Sequence, residues 1–146
     1  ALSLVGESMA YWLCVTNREN WEVIRKRRIW GVSSRSASKI SKVKRGDTLV
    51  FYKIQDKESP SQVVGIFEAT SDPFYDEKPV FSGGVFPHRV RVEPRLVPEE
   101  PLDFKPLVPK LSFITNKEKW NLHLRGKAMI ELPKEDFEAI ISAMKR

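Results

Sequence analysis

The chain reads as an α+β protein: a small mixed β-barrel of about five to six strands with helices packed against it. Three observations lead there. Short apolar runs rich in β-branched and aromatic residues alternate with turn residues; one helical segment is inserted directly after the first run; and an amphipathic helix closes the sequence. A glycine inside one apolar run, Gly65, marks a bend or bulge of the kind a curling sheet needs.

Tyr11 to Val15 forms the first predicted strand, ending where Thr16 and Asn17 suit a helix N-terminus. Thr16 and Glu19 stand at capping-box spacing, and the helix runs to about Arg27 with Trp21 and Ile24 on one face. Gly31 to Ser38 is expected to be a loop of small residues, followed by one helical turn ending at Lys42. Arg45-Gly46-Asp47 is read as turn chemistry, leading into a buried strand over Thr48 to Ile54. Gln62 to Thr70 and Val85 to Val92 are two more strands, and in the second Arg89 and Arg91 alternate with buried Val90 and Val92. Five prolines between Pro94 and Pro109 predict a wrapping loop. Asn116 to Leu124 reads as a short helix carrying Trp120, Ala128 to Leu132 as a closing strand. Pro133 then opens a helix with acids in its first turn and an apolar stripe of Phe137, Ile140, Ile141 and Met144.

The 146 residues fit one domain, 9–146. Residues 1–8 precede Met9 and are read as an N-terminal extension or expression scar. No apolar run approaches the ~20 residues of a membrane span, and the single Cys14 suits a reducing compartment. The expectation is therefore a cytoplasmic monomer without membrane contact. The net charge of +6 is local: Asn17 to Lys53 holds eleven Lys or Arg against Glu19, Glu22 and Asp47, a balance of +8 that leaves −2 for the remainder. A concentrated basic stretch is the footprint of a surface that meets phosphates.

Motifs for catalysis are missing. His88 and His123 stand apart from any cysteine or carboxylate cluster, Gly83-Gly84 and Gly126-Lys127 lack the context of a phosphate loop, and no serine sits in a nucleophile elbow. Neither a metal nor a cofactor is expected.

The informative stretch is Val15-Thr16-Asn17-Arg18-Glu19-Asn20, followed ten residues after Asn20 by Trp30-Gly31-Val32-Ser33. Small amide and hydroxyl groups beside a lone tryptophan suit a pocket that stacks a planar ring and reads its edge. Tyr11-Trp12, Thr16-Asn17 with Asn20, Trp30-Gly31-Val32, Arg45-Gly46-Asp47, Val64-Gly65, Phe86 to Val92 and Gly126-Lys127-Ala128-Met129 fall in an order that resembles the EVE domain. That family belongs to the PUA-like superfamily and is a relative of YTH and ASCH domains. The resemblance implies a PUA-like barrel, a stand-alone archaeal or bacterial EVE protein, and recognition of a flipped-out modified base, such as methylated cytosine or adenine, in DNA or RNA.

By this resemblance the base pocket comprises Thr16, Asn17, Asn20, Trp30, Gly31, Val32, Ser33, Phe81 and Phe86, with Arg18, Arg25, Arg28, Arg35 and Lys39 holding phosphates. The YTH pattern has further cage tryptophans, which have no counterpart between Phe67 and Arg91, so Phe74, Tyr75, Phe81 or Phe86 must supply the second wall. Two alternatives stand beside this reading. One is an ASCH-like nuclease or small amidohydrolase using Thr16, Glu19 and Lys53 in the same cavity. The other is a scaffold that binds protein through its proline-rich loop.

Overall fold

The computed structural model describes residues 10–145, so Met9 and the expected extension before it lie outside the described residues. Its elements in chain order are β1 (Tyr11–Thr16), α1 (Arg18–Arg27), β2 (Ile29–Val32), α2 (Ala37–Ile40), β3 (Thr48–Lys53) and β4 (Gln62–Ala69). There follow β5 (Phe74–Tyr75), β6 (His88–Leu96), β7 (Leu102–Asp103), β8 (Met129–Leu132) and α3 (Lys134–Met144).

Six strands make one curled mixed sheet in the order β2-β6-β4-β3-β1-β8, while the two-residue strands β5 and β7 flank β6 and β4. Among the described residues only β1 and β3 pair in parallel. A parallel pair requires a crossover, and α1, β2 and α2 fill it. Register shifts between Phe51 and Tyr52 and between Ile66 and Phe67 bend the sheet. Gly65 sits at the first of these, where a Cβ would come within 2.7 Å of the Trp21 indole.

Strands β1 and β3 are buried on both faces, which explains why they read as nearly continuous apolar runs. Tyr11 and Leu13 face a core completed by Phe104, Leu107, Phe137 and Ile140; Trp12 and Cys14 face a second core with Trp21, Trp30, Phe51 and Phe67. Burial pushes the Cys14 thiol pKa well up, as expected of an inert core residue. Asp47 is also buried, accepting from the backbone N–H of Ala10 and Lys44 and from Trp12 Nε1, so it is spent on the turn before β3.

Four local expectations change. The capping box does not form: Asn17, one residue later than Thr16, is the N-cap of α1 and accepts from the Asn20 N–H at 2.8 Å. Thr16 Oγ1 instead donates to the Asn17 carbonyl, and Glu19 accepts from Ser82 Oγ. Gly31 and Val32 belong to strand β2, so the loop of small residues begins at Ser33. Strand β6 starts at His88, not Val85, and Arg89 is 1% exposed because the chain from Asp76 to Phe86 folds over it. Asn116 to Leu124 contains only a 3-10 turn at Trp120–His123.

Candidate base-binding site

A cavity of about 230 Å³ opens where the end of β1 and the start of α1 meet β2 and the loop before β6. Its wall contains Thr16, Asn17 and Asn20 from the first junction, Trp30 to Ser33 from β2 and its exit, and Phe81 and Phe86 from the loop. All nine residues singled out from the sequence thus border one cavity. Val15, Ile54 and Ala128 complete it. Val15 and Ala128 belong to stretches that the sequence singles out without a pocket role, and Ile54 carries no motif signal.

None of the twelve wall residues is charged, and the wall is mainly apolar with a few amide and hydroxyl groups. The volume falls below the ~300–1,000 Å³ of drug-sized sites. Such a space suits one small neutral ring better than a phosphate or a metal. Among the described residues no cluster of His, Cys, Asp or Glu could hold a metal ion.

The polar groups are unequally available. Asn20 gives its amide to the loop: Nδ2 donates to the Ser82 carbonyl at 2.9 Å and Oδ1 accepts from the Ser82 N–H at 2.7 Å. Asn17 uses Oδ1 for the helix cap, leaving its Nδ2 donors uncommitted among the described residues. The Ser33 hydroxyl is likewise uncommitted, and Thr16 Oγ1, which donates to a carbonyl, keeps its acceptor capacity.

Trp30 is 4% exposed, with most of its indole in the core edge-on to Phe51 at 5.4 Å, and only a sliver reaches the cavity. Its Nε1 is the sole buried side-chain N or O among the described residues without a hydrogen-bond partner. Phe81 and Phe86 stand edge to face at 5.9 Å. Their loop lies directly on β2, since a Cβ at Gly31 would come 2.6 Å from the Phe86 carbonyl oxygen and 2.8 Å from the Phe81 ring. Phe86 adopts φ 48°, a left-handed conformation that a bulky residue holds only under tertiary constraint. Buried Arg89 is that constraint: its guanidinium donates to the carbonyls of Lys78, Val85 and Phe86, pairs with Asp76 at 3.6 Å, and lies 5.2 Å from the Phe81 ring centroid. Phe74 and Tyr75 do not border the cavity.

The expected phosphate-binding side chains do not form one cluster. Arg18 pairs with Asp56 and Glu58, Arg25 with Glu22, and Arg28 with Glu93. Lys39 Nζ donates to the Met129 carbonyl next to Ala128. Of the five, Arg35 alone is exposed and without a side-chain partner among the described residues. The physical reason is that acids far away in sequence, Asp56, Glu58 and Glu93, fold back onto the basic helix. Beside the cavity, beyond Ile54, a second groove runs past Asn121 and carries Arg125 and Lys127 with no acid in its wall. These cations were missed because they lie outside the dense basic stretch.

Of the three residues of the ASCH-like alternative, Thr16 alone borders the cavity, although Lys53 is its register partner. Lys53 is buried against the carbonyls of Ile54 and Pro60 and the carboxylate of Asp56, and Glu19 is held by Ser82.

The EVE domain model matches residues 10–143. This chain belongs to the EVE domain family. A UPF0310 protein of Pyrococcus abyssi is 45% identical over 144 residues, covering 93% of this chain and 100% of the relative. A UPF0310 protein of Pyrococcus horikoshii is 44% identical over 142 residues, covering 90% and 97%. Among solved structures, human THYN1 in complex with 5-methylcytosine-containing DNA aligns with a TM-score of 0.68 at 14% identity, covering 94% of this chain and 98% of that one. The Pho92 YTH domain in complex with m6A aligns with a TM-score of 0.70 at 15% identity, covering 100% and 88%. At such identities the likeness establishes the shared PUA-like fold. No helix of this EVE domain among the described residues is long and apolar enough to cross a membrane.

Proposed function

We propose that this EVE domain is a nucleic-acid-binding module that takes one extruded, modified base into the cavity and performs no chemistry on it. The observation that carries this reading is the uncharged cavity of about 230 Å³ bordered by Trp30, Phe81 and Phe86 together with the amide of Asn17 and the hydroxyls of Thr16 and Ser33. Its neutral wall matches a base rather than its phosphate. The complexes formed by THYN1 and by the Pho92 YTH domain give the reading its context.

In this mechanism the base slides against Phe81 or Phe86 with Trp30 on the opposite side, and Asn17 Nδ2, Ser33 Oγ and Thr16 Oγ1 meet its edge. An acceptor on the base that reached Trp30 Nε1 would also satisfy a donor now left without a partner. Asn20 acts indirectly, holding Ser82 so that Phe81 stays over the cavity. Stacking contributes about 1–3 kcal/mol per base. Burial of one methyl adds roughly 0.8 kcal/mol, about fourfold in affinity, so strong selectivity must come from the edge contacts. Arg125 and Lys127, without an ion-pair partner among the described residues, supply positive charge close to the cavity, while the groove on the other side of Ile54 sets Arg18 and Lys57 against Glu19, Asp56 and Glu58.

Fluorescence-polarisation titration of labelled single-stranded oligonucleotides, plain or carrying 5-methylcytosine, 5-hydroxymethylcytosine or N6-methyladenine, tests this at two salt concentrations. Tighter binding of one modified probe, lost in Phe81→Ala, is the expected result. Equal affinity for every probe, unaffected by Phe81→Ala, would sink the cavity as a base site.

A further inference from the structure

Tyr75 is 61% exposed, the largest exposure of any big apolar side chain among the described residues. Exposure alone would say little, but here the ring is fixed rather than loose. Tyr75 pairs with His88 in the β5–β6 ladder, and its ring meets the His88 imidazole at 5.3 Å and 75°. His88 Nε2 lies 3.5 Å from Ser34 Oγ, and His88 is the register partner of Val32. Val32 and Ser33 border the base cavity, so His88 lies one strand from the cavity wall and Tyr75 one strand further out in the same register row. Arg35, the next residue after Ser34, is exposed and unpaired among the described residues.

We infer that Tyr75, braced by His88, is a second stacking platform that takes the base next to the one held in the cavity, with Arg35 placed for the intervening phosphate. The inference rests on the base-binding reading above. The class of ligand follows from the chemistry: an open aromatic face binds any base, because every base has a π-face, and a cation beside it favours the anionic backbone. The platform therefore adds affinity for a strand without adding sequence preference. It also explains why Tyr75, one of the candidates for the second cavity wall, stands outside that cavity.

The test uses the protein with single-stranded DNA containing one 5-methylcytosine, the same strand with an abasic site on either side of it, and free 5-methyldeoxycytidine followed by NMR. Tyr75→Ala is expected to weaken the intact strand by about 5- to 150-fold. Free nucleoside affinity stays unchanged and Tyr75→Phe retains wild-type strand binding. An abasic site on one side weakens the wild type and not Tyr75→Ala, and Arg35→Ala lowers the slope of log affinity against log salt by about 1. Unchanged strand binding by Tyr75→Ala overturns the platform, as does an abasic effect of equal size in both proteins. Absence of any strand binding overturns it too, and the nucleoside arm then reports separately whether the cavity takes a base. Because Tyr75 is exposed, melting temperature serves as a control and should not change.

Discussion

The side-chain amide of Asn20 and the backbone of Ser82, 62 residues apart, form a reciprocal hydrogen-bonded pair at 2.9 and 2.7 Å. The amide of a helix residue thereby grips a loop that has no regular structure of its own, and the Glu19 carboxylate accepts from the same serine's hydroxyl. Replacing Asn20 with Ala frees the loop at the point where Phe81 enters it. Because Ser82 is exposed and water can replace the lost partners, stability should fall by only about 1 kcal/mol. Oligonucleotide affinity should fall further, by about tenfold, as stacking on Phe81 is lost. Hydrogen exchange at the Ser82 amide, faster in the variant, distinguishes a freed loop from a damaged fold.

Gly31 offers a second handle on the same loop from below. A methyl there meets the Phe86 carbonyl oxygen at 2.6 Å and the Phe81 ring at 2.8 Å, and the first of these is backbone that cannot turn aside. Gly31→Ala should lift the loop, destabilising the protein by about 1–3 kcal/mol as overpacked sites do. Thermal unfolding reads the stability change, and titration with the modified oligonucleotide should show weakened binding. A variant that binds as wild type would mean the loop does not shape the site.

Arg89 holds what Gly31 and Asn20 position. Arg89→Met keeps much of the apolar stem but leaves the carbonyls of Val85 and Phe86 without the guanidinium, each orphaned acceptor costing about 1–3 kcal/mol where water cannot reach. It also releases Phe86 from its left-handed conformation. The expected result is a lowered melting temperature and loss of base discrimination, with the unspecific, salt-dependent part of binding retained.

These contacts show where sequence reasoning stops. Strand β1 and helix α3 were legible because their apolar patterns are local and continuous. Trp30 in a strand was not, since its partner Val90 lies 60 positions further on and Gly31 beside it resembles loop composition. Arg89 read as a residue of the face that an alternating strand presents to solvent or to a ligand, because alternation reports only which face a side chain takes and not that the chain from Asp76 to Phe86 covers that face. Nine of the twelve cavity residues were legible through the motifs that resemble the EVE domain, and Ile54 was not legible at all. Which of the cavity's polar atoms remain free was not legible either, because Ser82 is unremarkable until the loop closes on Asn20.

The acid dependence of stability should centre on Asp56. Hydrogen bonds from Arg18, then those from the backbone N–H of Glu58 and Ser59 and the charge of Lys53, hold its carboxyl well below the usual carboxylate range. A depressed folded pKa contributes stability that is complete above the unfolded value near ~3.9 and is lost as pH falls toward the folded one. Stability should therefore be flat in this respect from neutral pH down to about 5 and decline below about 4. Chemical denaturation across that window should show a shallower decline for Asp56→Asn than for the wild type.

Salt dependence separates the cations that meet nucleic acid from those committed to the fold. Each phosphate contact contributes close to 1 to the slope of log affinity against log salt. Arg25 and Arg28 are paired with Glu22 and Glu93, and their pairs are exposed, so each adds little to stability. If they touched phosphate they would first have to leave those partners, whereas Arg125 and Lys127 face a groove with no acid in its wall and have no such partner among the described residues. Arg125→Ala and Lys127→Ala should each reduce the slope by about 1 and weaken plain and modified probes alike. Arg25→Ala and Arg28→Ala should leave the slope where it is. The reverse pattern would place the phosphate track along α1 instead.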